Sequence, residues 1–222
     1  DMNLSVPRVQ ANRNFANKVW NAGRLVLGAV ERLPAEHPPA PAPTLADRWI
    51  QARQAQLLGQ VDRLFEGHQY GEAGRQIYEF FWGEFADWYL EAAKLQGAEG
   101  PGRAHSTAVI MVTVLETCLR VLHPFTPFVT EELWQRLREA CQRYSSKLAP
   151  VDGWGEALIV AAWPAAARGA VDEESIRRFE LLREIVRSIR NARAEKSIDP
   201  GRRIRASFGA GAESEWLGGQ VP

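Results

Sequence analysis

Cysteine is nearly absent from this 222-residue chain. Its two cysteines, Cys118 and Cys141, show neither C-x-x-C spacing nor a neighbouring histidine cluster. That excludes a disulfide framework and a Cys/His zinc site, and it leaves two reduced, buried thiols as the expectation. Net charge is lacking too, because 27 Lys and Arg balance 27 Asp and Glu. Neutrality gives no global reason to bind a polyanion. No apolar run approaches the ~20 residues that a bilayer-spanning helix needs. The N-terminus also lacks the charged-then-apolar plan of a signal peptide. A cytoplasmic location without membrane contact is the expectation.

The vocabulary of catalysis is missing as well. There is no P-loop, no GxGxxG, no HExxH and no GxSxG. The histidines His37, His68, His105 and His123 are scattered, with no nucleophile or carboxylate at a suggestive offset. Glu84, Asp87 and Glu91 could pair as acid and base, yet they stand three or four apart on one helix, as a solvated face does. No catalytic residue and no metal ligand is expected. Internal repeats are absent.

What remains is a helical protein. The hydrophobic content of 45% is ordinary for a globular chain, and the length suits one large or two small domains. The apolar spacing predicts a first helix from about Val9 to Leu33, before a stiff, exposed linker holding Pro34, Pro38, Pro39, Pro41 and Pro43. Thr44 with Asp47 resembles a capping box that opens a second helix through about Phe65. A third helix, about Glu72 to Gln96, places Ile77, Phe81, Phe85, Trp88, Ala92 and Leu95 on one stripe. Trp82, Trp88 and their neighbours could stack on nucleic-acid bases, although core packing is the reading that their spacing favours. A fourth helix, about His105 to Leu122, stops at Pro124. Thr126 and Pro127 restart the chain as cap and first helical residue, and the fifth helix runs to about Tyr144. Residues 158–163 read as a short extended segment closing the unit. The expectation is a mainly α, antiparallel helical bundle over 1–170. Residues 171–222 read as the truncated start of a small α/β domain, with a basic helix over about Glu173–Lys196 and a strand over Arg203–Phe208.

Asparagine is the oddity. Five of the six asparagines fall within the first 21 residues. At 100° per residue, Phe15, Val19, Gly23, Val26 and Val30 form one apolar stripe, flanked by Ala16, Trp20 and Leu27. Asn14, Asn17, Lys18, Asn21 and Arg24 fall opposite. Each Asn costs up to ~0.7 kcal/mol of helix propensity against Ala, so a purely solvated face has cheaper solutions. Carboxamides donate and accept together, so they can pair with base edges, while Lys and Arg neutralise phosphate. The alternative is a polar network between helices of the bundle.

Charge is also unevenly spread. Residues 1–30 carry four basic side chains, Arg8, Arg13, Lys18 and Arg24, against Asp1 alone. Residues 177–205 carry ten basic side chains against four acids, with Arg183, Arg187 and Arg190 in one stripe. Local basic faces on a neutral chain suit selective contact with a polyanion, although the stripe could equally be a solvated face.

The block Arg13-Asn14-Phe15-Ala16-Asn17-Lys18-Val19-Trp20-Asn21-Ala22-Gly23-Arg24 resembles the segment that opens the anticodon-binding bundle of valyl-tRNA synthetases. Leu45–Ile50, Trp82–Glu91, His123–Trp134, Ala162-Trp163-Pro164 and Ile189–Glu195 are similar to further blocks of that family, in its order. Isoleucyl and leucyl relatives share the bundle and the His123-Pro124 block. The Asn-Phe-Ala-Asn-Lys and Trp-Tyr-Leu-Glu blocks favour valyl. The resemblance implies a class I synthetase bundle that grips the anticodon stem-loop of valine tRNA. The implied contacts are Asn14, Asn17, Asn21 and Arg24, with Arg8, Arg13, Lys18, Arg183, Arg187 and Arg190 as candidate phosphate ligands. In the family an aromatic commonly follows the last Arg of the first block; here it is Leu25. Ala86 stands where many relatives carry Cys. The His-Ile-Gly-His and Lys-Met-Ser-Lys-Ser type signatures are absent. The resemblance therefore implies a monomeric fragment without cofactor, whose ATP, magnesium, catalytic and editing domains belong to the rest of one polypeptide. The ends Asp1-Met2 and Gln220-Val221-Pro222 also read as those of an excised piece. A helical scaffold for a protein partner is the rival reading.

Overall fold

The computed structural model describes residues 5–33, 39, 41–144, 148–150, 152–165, 171–199, 201–205, 209, 211 and 216–217. Most of the proline linker therefore lies outside the described residues. Residues Asp1–Phe179 form one compact unit and Glu180–Pro222 a second.

The first unit is a helical bundle. Helix α1 spans Val6–Val30, with Pro7 in its first turn where a missing N–H costs nothing. Its buried residues are Phe15, Val19, Ala22, Gly23, Val26 and Val30, so the apolar stripe faces inward as its spacing predicts. Helix α2 spans Leu45–Glu66 and opens with a complete capping box. The Asp47 amide donates to the Thr44 hydroxyl at 3.1 Å, and the Thr44 amide donates to the Asp47 carboxylate at 2.9 Å.

Helix α3 (Tyr70–Phe80), a π-helical segment (Phe81–Tyr89) and helix α4 (Leu90–Gln96) form one continuous rod. The π segment corrects the straight helical stripe. Each π turn takes up an extra residue, which rotates everything downstream. Tyr89, Leu90, Ala93 and Gln96 consequently face the core, while Leu95 is exposed. Buried Tyr89 donates to Asp47 at 2.8 Å. Burial first, and the Asp47 charge second, hold its phenol well above its ordinary pKa. Gln96 bonds Thr44 and Thr107, so the polar residue that the rotation brings inside is satisfied.

Helices α5 (Pro101–Leu122) and α6 (Pro127–Tyr144) complete the bundle. Helix α5 begins earlier than the apolar spacing indicates, with Pro101 in its first turn and Gly100 before it at φ 135°. By length and hydropathy α5 could cross a membrane, but 78% of its apolar window is buried inside the bundle. It is the core helix. Pairings fix the directions. Gly23 of α1 meets Leu133 of α6, and Trp20 meets Arg136, so these two helices are antiparallel. Asp47 and Arg53 of α2 meet Tyr89 and Glu84 of the π segment, again antiparallel.

A buried ion pair joins α5 to the following chain. Arg120 and Glu116 are 5% and 8% exposed as side chains. Arg120 also donates to the Ala162 carbonyl at 2.7 Å, and Trp134 Nε1 donates to Glu116 at 3.3 Å. Burial outweighs these partners and raises the Glu116 carboxyl pKa. Residues 158–163 do not form a strand: Leu158–Val160 is a 3₁₀ turn that buries Leu158 alone, with Ile159 and Val160 exposed, and extended backbone resumes only at Ala161. Two bonds from the Leu158 amide to Glu131, at 2.9 and 3.2 Å, hold that turn.

Helix α7 spans Glu173–Glu195. Within the first unit, Phe179 stacks on Trp49 with ring centres 4.0 Å apart. Within the second, Arg193 donates to the Asp199 and Arg202 carbonyls at 2.6 and 3.1 Å, closing the turn after the helix. The strand expected over Arg203–Phe208 is not found at 203–205, and 206–208 lie outside the described residues. Among the described residues there is no strand.

Candidate nucleic-acid interface

Two faces of α1 do different work. The stripe from Phe15 to Val30 is clamped against the bundle, which leaves Arg13, Asn14, Asn17, Asn21 and Arg24 exposed on the other side. Among the described residues, the side chains of these five make no hydrogen bond or ion pair. A polar network between helices would have consumed the carboxamides. The rival reading of this face as internal glue therefore fails on geometry. Each carboxamide keeps two donor hydrogens and an acceptor oxygen for an incoming group.

Lys18 is placed differently from its neighbours. Its ammonium pairs with Asp87 of the π segment and lies 5.4 Å from the centre of the Trp82 ring. A phosphate would meet it already engaged, so its net contribution is smaller than that of Arg13 or Arg24. On the opposite flank, the Arg136 guanidinium lies 5.3 Å from the centre of the Trp20 ring. The exposed face of α1 is thus bordered on both sides by a cation set over an indole.

The acidic trio resolves into separate ion pairs. Glu84 takes a two-pronged contact from Arg53, with both N–O distances 2.8 Å and the carboxylate only 14% exposed. Asp87 holds Lys18, and Glu91 holds Lys94 at 2.7 Å. Glu84 is therefore a structural carboxylate rather than part of a solvated face. Among the described residues no cluster of His, Cys, Asp or Glu could hold a metal ion.

The basic stripe of α7 divides. Arg187 and Arg190 are exposed, whereas Arg183 is 7% exposed and paired with Glu180. Arg190 also borders an open groove floored by Val186, Ile189 and Ile198. Arg8, on the first turn of α1, is exposed.

Residues 47–207 match the family described as the anticodon-binding domain of tRNA ligase. The chain belongs to this family. Among curated proteins, this anticodon-binding domain is 41% identical, over 98% of its length, to the valine–tRNA ligase of Dehalococcoides mccartyi strain CBDB1. It is 39% identical, over 96% of its length, to the chloroplastic/mitochondrial valine–tRNA ligase 2 of Arabidopsis thaliana. Against the valine–tRNA ligase of Bacillus cereus strain ATCC 10987 the identity is 35% over 96% of the chain. The domain spans about a quarter of the length of these relatives, 24%, 22% and 23% respectively. The family match begins at Asp47, inside α2, so α1 with its carboxamides lies outside it. The similarity to the three ligases does include α1, because it covers nearly the whole chain.

Three features of this face were invisible in the sequence order. Trp82 and Tyr78 flank Phe15, Asp87 engages Lys18, and Arg136 covers Trp20. Only the helical spacing of Tyr78 and Trp82, four apart and therefore neighbours on one face, carried any signal.

Proposed function

We propose that this chain reads the anticodon stem-loop of valine tRNA on behalf of a valine–tRNA ligase. One observation carries the reading: a clamped helix presents Asn14, Asn17 and Asn21 outward, and among the described residues their carboxamides have no partner. Unpaired loop bases can be splayed out and read along their edges, which suits groups that both donate and accept. In this reading the exposed cations Arg8, Arg13 and Arg24 of α1 and, separately, Arg187 and Arg190 of α7 meet backbone phosphates, and Lys18 and Arg183 are further candidates. The identity to valine–tRNA ligases over nearly the whole chain supports valine tRNA over the isoleucine and leucine alternatives. In this reading the chain is a cytoplasmic, monomeric RNA-reading part. Amino-acid activation, with ATP and magnesium, and editing belong to other parts of the ligase.

The test is fluorescence anisotropy with a labelled RNA hairpin carrying a valine anticodon and a second hairpin with an unrelated loop. Asn17→Ala combined with Asn21→Ala is expected to weaken the first by about 30-fold or more, since two base contacts at ~1–3 kcal/mol each are lost. Binding of the unrelated hairpin should change little. Equal losses for both RNAs would remove base reading and leave charge alone. Affinity should also fall steeply with salt. A salt-independent contact with a protein partner and none with RNA would favour the scaffold reading.

A further inference from the structure

The carboxamide face of α1 does not end at α1. Lys18 lies beside Asn14 and Asn21 on the helix wheel, and it reaches across to Asp87 and Trp82 of the π segment. Trp82 is half-buried, and Tyr78, one turn earlier, is 39% exposed. Their ring centres stand 5.6 Å apart, and both pack on buried Phe15, at 4.6 Å for Tyr78 and 6.3 Å for Trp82. Two large rings thus form a shelf, backed by a third, at the edge of a polar face.

Tyr78 leaves the core beside Trp82, the ring that Lys18 reaches. The rod bends into π geometry from Phe81, the residue before Trp82. Gly83, beside Trp82, adds no side chain to this edge. Lys18 brings a positive charge to the same rim, as a backbone phosphate requires.

We infer that Tyr78 and Trp82 are a base-stacking shelf for an unpaired nucleotide of the RNA loop whose neighbouring base edges meet Asn14, Asn17 and Asn21. This inference rests on the anticodon-loop reading above and adds a specificity-tolerant grip to it. Ring faces stack on any base, whereas carboxamides discriminate between edges. The shelf supplies affinity and holds the loop open, and the asparagines supply choice. Asp87 acts as a positioning residue: it keeps Lys18 at the rim until phosphate replaces it as counter-ion.

The test uses the whole 222-residue chain and a synthetic valine-anticodon hairpin with 2-aminopurine placed at successive loop positions. Stacking quenches 2-aminopurine, so one loop position should lose emission on binding. Tyr78→Ala and Trp82→Leu should each weaken binding about 5- to 100-fold, the range for loss of one stacked base. Both should abolish the quench, while Trp82→Phe should keep most of it. The salt dependence should stay unchanged in these variants, because no phosphate contact is lost. Lys18→Gln should make it shallower. Parental affinity and quench in Tyr78→Ala and Trp82→Leu variants of native circular dichroism would overturn the shelf. So would weakening that appears only as a changed salt slope. If the parent chain binds no hairpin, the anticodon-loop reading itself falls. If only the Asn17→Ala/Asn21→Ala pair weakens binding, that reading stands and the shelf falls.

Discussion

Substituting Gly23 by alanine tests how α1 is seated. A Cβ built there would lie 2.6 Å from one Leu133 methyl and 3.0 Å from the other. Leu133 is 1% exposed, so its methyls cannot swing into solvent. Two effects oppose each other. Alanine gains ~0.8–1.0 kcal/mol of helix propensity over glycine, and overpacking a closed core costs ~1–3 kcal/mol. The expected result is a net loss of up to ~2 kcal/mol. Gly59 of α2 is the internal control, since nothing stands within 4 Å of its virtual Cβ. There the propensity gain acts alone, and Gly59→Ala should stabilise by ~1 kcal/mol. Urea unfolding followed by far-UV circular dichroism measures both. The difference between the two variants isolates the overpacking cost, expected at ~1–3 kcal/mol. A double-mutant cycle with Leu133→Ala should recover the same quantity as a coupling energy, because the clash vanishes once the methyls are gone. Gly23→Ala as stabilising as Gly59→Ala, or a cycle without coupling, would refute the close seating of α1 on α6.

Two further outcomes concern the interior. Arg120→Leu strands the Glu116 carboxylate and should cost ~3–5 kcal/mol at neutral pH, whereas Glu116→Leu/Arg120→Leu together should be nearly neutral. Because the folded-state Glu116 pKa is raised, chiefly by burial, its effect on stability runs against alkali. Stability falls as pH climbs from the ordinary carboxylate value towards the folded value, and the Arg120→Leu deficit should shrink below that window. Urea titrations at several pH values would show it, and a deficit that grows in acid would contradict the assignment. Burial pushes the Cys141 thiol up to about 12 and raises that of Cys118 as well. Both should resist a disulfide reagent in the folded chain at mildly alkaline pH and react fully in denaturant, as a colorimetric thiol assay would record.

Much of the bundle was legible because its signals are local. The Phe15-to-Val30 stripe, the Thr44/Asp47 box and the Thr126-Pro127 restart depend on residues a few positions apart. The π segment was not legible, since Phe81–Tyr89 reads as ordinary helix and the contacts its side chains make lie far away in sequence. Tyr89 reaches Asp47, and Glu84 reaches Arg53. The resulting rotation exchanged Leu95 for Gln96 inside. Likewise the apolar run from Leu158 looked like a strand, but a carboxylate 27 residues earlier caps it as a turn. The outward carboxamides of α1 followed from spacing alone. The inward turn of Arg183 did not, because the Glu180 one turn before it pairs with it.

In mechanical terms α1 is a cantilever. From Phe15 onward it is clamped, but every described residue from Ser5 to Asn14 is exposed, so ~13 Å of helix projects beyond the clamp. A beam held at one end moves most at its tip and least at its root. Asn17, Asn21 and Arg24 sit over the root, where thermal bending is smallest and base edges can be met in fixed register. Arg8 stands near the tip, in the first turns of the helix. Stiffness is thereby graded along a single helix, and on the proposed reading the discriminating groups stand at the quiet end and an electrostatic one at the moving end.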